Sequence, residues 1–320
     1  MPTIKLDKAV FERLIGKKLP EKELKDRISM LGTDLEGIEG NEIRVEVFPN
    51  RPDMLSEQGF ARAFASFIGT KTGLKSYKVK PSEGKVIIDR SVSKVRPYTA
   101  CAIVKKLRFD DEKIREIIDV QEKLHITFGR NRKRVAIGVY PLEHISLPIR
   151  FVGKKPQEVS FRPLEFKGEL TGLQILSQHP TGRAYAHLLD GKKVFPFFID
   201  SNNNVLSMPP IINSHNTGKI TPATTEVFVE CSGFDLEVLN QALNIIVTTM
   251  ADMGGEIFSM KLEYPDRTVT TPDLTPKKME LVHEHLNKWL GLELKENEIK
   301  GLLERMGYGY SGKKVLIPAY

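Results

Sequence analysis

The residues best equipped for chemistry lie between Leu206 and Asp235. A polar run, Asn213, Ser214, His215, Asn216 and Thr217, follows the pair Pro209 and Pro210 and precedes the apolar stretch VFVEC, Val227 to Cys231. Hydroxyl, amide and imidazole groups set between apolar strands can hold a water, orient a substrate or donate to a developing oxyanion. Loops on a rigid sheet are where such groups are usually mounted. In VFVEC the alternation of a strand puts Phe228 and Glu230 on one face and Val227, Val229 and Cys231 on the other, and Ser232 continues the Glu230 face. An acid beside an aromatic sits either at a wetted sheet edge or in a pocket built for it. Both readings stand on pattern alone.

Other clusters carry less. RNRKR, Arg130 to Arg134, is the densest basic run; phosphate contacts and a solvated turn fit it equally well. Gly307, Gly309 and Gly312 match GxGxxG, but they follow a helix pattern and precede a strand, the reverse of a dinucleotide loop, so a helix cap and turn is the better reading. His283 and His285 lie two apart on a helical pattern and point to different sides, so they do not form a metal pair. Cys101 and Cys231 have no CxxC or zinc-finger spacing and read as reduced thiols. No Walker loop, HExxH or GxSxG is present.

The elements that must carry these residues read as mixed α and β. The chain has 320 residues, 40% hydrophobic and 28% charged, with net charge +7, which fits a multidomain soluble protein with a mild leaning toward a polyanionic partner. No signal-peptide core or run of membrane-spanning length occurs, so a cytoplasmic protein is expected. Asp7 and Ser56 read as helix N-caps, and Gly16 and Gly69 as stops. Gly73 to Gly84 reads as a linker or a long surface loop. Asp235 to Met253 is a strong helix, with Leu236, Leu239, Leu243, Ile246 and Met250 at the 3.6 period. Pro276 reads as opening a helix that contains Val282, Leu286 and Leu290. KVLIPAY reads as a terminal strand without an evident partner, which points to a chain cut from a longer one.

Five stretches, FPNRPDML with Gly59 to Arg62, QEKLH (Gln121 to His125), VAIGVYPLE (Val135 to Glu143), VLSMPPIIN (Val205 to Asn213) and FVECSGFD (Phe228 to Asp235), occur collinearly along nearly the whole chain. In them the chain resembles the β subunit of phenylalanyl-tRNA synthetase of the archaeal and eukaryotic type. Pro141, Ser232 and Phe234 depart from that pattern.

The resemblance implies an α+β, multidomain fold: an N-terminal α/β domain over 1–84, a mixed α and β editing domain over 85–263 and the start of a helix-rich domain over 264–320. It also implies an editing activity, hydrolysis of tyrosine wrongly esterified to tRNA(Phe), and support of aminoacylation by the α subunit. Partners would be that subunit, in a heterotetramer of two α and two β chains, and tRNA(Phe), with no membrane. ATP and magnesium would serve the complete enzyme, with no cofactor or metal in this part. The candidate catalytic residues are Ser207, Asn213, Glu230 and Ser232, with Phe198, His215 and Asp235 in the substrate pocket and Arg130, Arg132, Lys133 and Arg134 on tRNA. Glu230 is the expected acceptor for the tyrosine phenol. A non-catalytic RNA-binding or assembly module, which would bind tRNA but release no tyrosine, is the alternative. An unrelated hydrolase of small esters is a further one.

Overall fold

A computed structural model of the chain describes residues 2–320. The chain divides into two compact units, one formed by residues 1–77 with 274–320 and the other by residues 78–273.

The first unit opens with β1 (Thr3–Asp7), α1 (Lys8–Ile15), α2 (Glu21–Met30), β2 (Asp34–Glu39), β3 (Glu42–Glu46) and α3 (Glu57–Phe67). The three strands form an antiparallel sheet in the order β1-β3-β2. Asp7 caps α1 through Val10 N–H, and Gly16 closes it with φ 73°, a left-handed conformation that costs glycine little. Ser56 caps α3 through Gly59 N–H. The apolar faces of α1 and α3 meet through Phe11, Phe60 and Phe64, whose ring centroids lie 5.2–6.2 Å apart.

The second unit holds β4 (Val79–Lys80), β5 (Lys85–Ile88), β6 (Tyr98–Lys105), α4 (Asp111–Ile126), β7 (Val135–Pro141), β8 (Ile149–Lys154), β9 (Ser160–Phe161), β10 (Leu170–Thr171), α5 (Gly172–Gln178) and α6 (Pro180–Tyr185). It continues through β11 (Phe195–Ile199), β12 (Val205–Met208), β13 (Ile212–Asn213), α7 (His215–Gly218), β14 (Val227–Gly233), α8 (Leu236–Asp252), β15 (Glu256–Glu263) and β16 (Thr268–Thr271). Eleven strands form one sheet along the path β13-β12-β11-β8-β5-β15-β6-β14-β7, with β4 and β16 also pairing β15. The helix expected over Asp235 to Met253 is α8, and it packs on the sheet, over β6 and β14. One core gathers Phe151, Phe198, Phe228 and Met260, and a second joins Phe195, Phe197 and Met208 to Ile175 of α5.

The chain then returns to the first unit with β17 (Lys277–Glu280), α9 (His283–Leu290), α10 (Glu296–Arg305), β18 (Gly309–Ser311) and β19 (Lys314–Ile317). The terminal strand does have partners: β19 lies between β17 and β18. The helix expected to open at Pro276 begins only at His283, because Lys277–Glu280 pairs with β19 as a strand, and Val282 and Leu290 are half exposed. The three-part division expected from sequence differs from this arrangement, because the last segment packs with the first. Ser66 Oγ donates to Glu304 O at 2.8 Å, Gly73 N to the same oxygen at 2.7 Å, and Arg305 to Phe67 O. Sequence reading follows elements, and it had no local signal for this long-range contact. Gly307 and Gly312 take φ of 80° and 57° after α10 and in the β18–β19 turn, as capping and turn residues do.

Candidate active site

β14 carries the site. It lies between β6 and β7, with Glu230 opposite Cys101 on one side and Gly138 on the other, and all seven of its residues are buried. Glu230 is therefore in the sheet interior, 2% exposed, and the wetted-edge reading falls away. Its Oε1 accepts from the Tyr140 hydroxyl at 3.1 Å, and the same hydroxyl stands 3.2 Å from Asn213 Oδ1. A glycine at 138 makes that approach possible: a Cβ there would stand 2.1 Å from the phenol oxygen and 2.7 Å from Glu230 Oε1. Burial, partly offset by the charge of Arg96 and by hydrogen bonds with Tyr140 and Ser232, pushes Glu230 up to about 8. At neutral pH its carboxyl is mostly protonated, and Oε2 has no hydrogen-bond partner. In that form the carboxyl can donate as well as accept.

Glu230, Ser207, Asn213 and His215 line one cavity of about 830 Å³, with Pro209 and Pro210 on the approach and their shared peptide cis. Ser207 Oγ and His215 Nδ1 are, like Glu230 Oε2, buried without a partner. Buried polar atoms are usually satisfied, so these three, with Arg132 Nε on the same cavity, single it out as the candidate site. Desolvation, then the nearby Arg162 and Lys219, holds the His215 imidazole below its ordinary value, so it is neutral at pH 7 and free to take a proton.

Three expected site residues lie elsewhere. Ser232 does not line the cavity: its Oγ accepts from Arg96 Nε at 3.0 Å, and from behind the cavity wall its hydroxyl supports Glu230. Phe198 belongs to the core, stacked on Phe151 at 4.3 Å. Asp235 caps α8, accepting from Glu237 and Val238 N–H.

The basic run also divides. Arg130, Asn131 and Arg132 have φ between 50° and 64°, forming a tight left-handed turn after α4. Arg130 and Lys133 are exposed, and Arg134 lies over the Phe128 ring. Arg132 turns inward and lines the cavity: Nη1 donates to Ile211 O at 2.8 Å, Nη2 to Glu122 Oε1 at 2.7 Å, and the guanidinium stacks 4.3 Å from the Tyr185 centroid. One N–H of each Nη is thus committed within the protein, which sets Arg132 apart from the exposed Arg130 and Lys133. Burial opposes the ionisation of Glu122, but His125 and Arg132 outweigh it and hold the carboxyl below its ordinary value.

Sequence reasoning missed Gly138, Tyr140, Arg96 and the cavity roles of Arg132 and Tyr185. Arg96 is buried, anchored on Ser232 and on Arg132 O; burial lowers it to about 10, so it stays charged beside Glu230. The i,i+4 spacing of Gln121 and His125 could have been read. His125 Nε2 accepts from Ile137 N–H at 2.8 Å and Gln121 Nε2 donates to Ile137 O at 2.9 Å, so α4 covers the free edge of β7.

Together these features define a two-unit α+β protein whose larger unit carries a ligand-sized cavity ending in unpaired polar groups. No family model matches the chain. It is 42% identical over 324 residues to the phenylalanine–tRNA ligase beta subunit of Archaeoglobus fulgidus and 41% identical over 329 residues to that of Thermococcus gammatolerans. In both cases all of this chain is covered, but only 58% of the relative. The crystal structure of an N-terminal fragment of the phenylalanyl-tRNA synthetase β-subunit from Pyrococcus horikoshii superposes with a TM-score of 0.94 at 40% identity, covering 99% of this chain and 94% of that one. The chain belongs to the phenylalanine–tRNA ligase β subunit family, and it spans somewhat over half the length of the curated relatives it matches.

Proposed function

We propose that this chain is the proofreading part of a phenylalanine–tRNA ligase β subunit: it hydrolyses tyrosine esterified to tRNA(Phe) and supports aminoacylation by the α subunit. The observation that carries the reading is Glu230, a buried carboxyl with an unpaired oxygen on the wall of a ligand-sized cavity. An apolar synthetic pocket rejects an isostere with an added hydroxyl only by roughly 100-fold. A pocket that pairs the hydroxyl works by the opposite asymmetry. Phenylalanine leaves Glu230 unpaired, at a cost of about 1–3 kcal/mol, whereas tyrosine satisfies it.

The reaction is ester hydrolysis. Water oxygen bonds to the carbonyl carbon, the bond to the ribose oxygen breaks, and the proton lost by water ends on the ribose hydroxyl. His215 accepts the water proton in this reading, Asn213 orients the carbonyl and Ser207 holds the water. Both cysteines are buried, and burial pushes their thiols well above the ordinary value, so water remains the attacking group. Arg130 and Lys133, exposed on the turn after α4, contact tRNA phosphates, with Arg134 beside them. The complete enzyme works in the cytoplasm as a heterotetramer with the α subunit, which uses ATP and magnesium.

The test is deacylation of tyrosyl-tRNA(Phe) by the 320-residue chain. Release of tyrosine several-fold above the spontaneous rate, with phenylalanyl-tRNA(Phe) spared, is expected. Binding of tRNA without release would replace this reading with the non-catalytic module.

A further inference from the structure

The cavity is much larger than a tyrosyl group, and a second set of residues lines it that the phenol cluster does not use. From α4 come Ile114, Ile118, Gln121 and Glu122, from α6 Tyr185, and from the left-handed turn Arg132. Arg132 has its Nη groups committed to Ile211 O and Glu122, and its neighbour carboxylate neutralises it. What such a guanidinium still offers is its flat face, which already stacks with Tyr185 at 4.3 Å. Its Nε is buried without a partner. Ile118, although it lines the cavity, is 50% exposed, an apolar side chain left uncovered there.

A flat, committed guanidinium, an aromatic ring and an uncovered aliphatic side chain make a surface for a planar ring with polar edges. Within this set the one cation, Arg132, is paired with Glu122, so the set favours a flat ring over a phosphate. Unstacked nucleobases bind on aromatic rings and arginine planes in this way. We infer that Arg132, Tyr185 and Ile118 form a subsite for the base of the nucleoside that carries the esterified amino acid. This rests on the editing reading above, and it divides the cavity between two tasks. The Glu230 group reads the amino acid, and the Arg132–Tyr185 stack holds the nucleoside to which it is attached. Arg132 also ties the two together, since Ile211, whose carbonyl it holds, lies two residues before Asn213.

Binding of two probes to the full 320-residue chain tests this without turnover. One is adenosine carrying tyrosine in amide linkage on its ribose; the other is tyrosinamide, which has the phenol but no base. The wild-type chain should bind the first more tightly by roughly 5- to 150-fold, the range of one base stacked on an aromatic platform. Tyr185→Leu, which keeps apolar bulk, should remove that advantage and leave tyrosinamide affinity unchanged, and Tyr185→Trp should restore it. Equal affinity of the wild-type chain for both probes, or an unchanged advantage in Tyr185→Leu, would overturn the subsite and leave the editing reading in place. Binding of neither probe would overturn both.

Discussion

Glu230 carries most of the account at the scale of single residues, and its burial has a measurable cost. A carboxyl raised from 4.5 to about 8 in the folded chain binds more protons folded than unfolded between those values. Stability from this group is therefore full below pH 4.5 and is lost progressively as pH rises through about 8, by on the order of a few kcal/mol. Glu230→Gln should flatten that slope in denaturant unfolding series at pH 5 and pH 8.5, and an unchanged slope would refute the assignment. Gly138→Ala addresses the same group from the neighbouring strand. Its Cβ would meet the Tyr140 hydroxyl at 2.1 Å and force the phenol off Glu230. The expected cost is about 1–3 kcal/mol in stability from overpacking. Tyrosyl-tRNA hydrolysis should fall at least tenfold, since a displacement of about 1 Å can cost 100-fold. A variant with normal hydrolysis and a normal melt would show that the Tyr140–Glu230 contact is dispensable.

At the scale of elements, the edge of β7 is covered by α4. His125 is buried and neutral, its imidazole held below the ordinary 6.5 by burial, even though Glu122 pulls the other way. Here the unfolded chain takes up the proton first, so this contribution is lost as pH falls below 6.5. His125→Leu leaves the Ile137 N–H unpaired, and a loss of about 1–3 kcal/mol is expected in chemical unfolding, with weaker acid sensitivity. No change would mean that the edge is satisfied in some other way. Period and capping made many elements legible. The Asp7 and Ser56 caps and the α8 stripe are local signals, and so is the face shared by Phe228 and Glu230. Ser207, Asn213, His215 and Glu230 were also legible as a set, because polar groups crowd between apolar strands there. Tyr140 was hidden because its role depends on register across β7 and β14 and on an absent Cβ two residues earlier. The cavity role of Arg132 was hidden because charge density in sequence does not reveal that three successive positive φ values turn one of four cations inward. Asp235 looked like a ligand until its carboxylate was seen to cap its own helix.

Over the whole chain, the smaller unit is discontinuous, and no local pattern announces that 274–320 completes what 1–77 begins. Residues 78–273 possess both cores on the sheet, so that segment expressed alone should melt cooperatively and retain the binding of tyrosinamide. The segment 1–77 alone loses the contacts of Ser66, Phe67 and Gly73 with Glu304 and Arg305. It should melt lower than the same segment joined to 274–320 through a short linker, as followed by circular dichroism. Equal melting temperatures would mean that the contact adds nothing to the stability of the unit.

The most direct measurement is the ratio of hydrolysis rates of tyrosyl-tRNA(Phe) and phenylalanyl-tRNA(Phe), taken for the wild-type chain, Glu230→Gln and Glu230→Ala, with a melt recorded for each. The account predicts a tyrosine preference in the wild type that falls by roughly 5- to 150-fold in Glu230→Ala while the melting temperature holds or rises. An undiminished preference in a folded Glu230→Ala chain would contradict it.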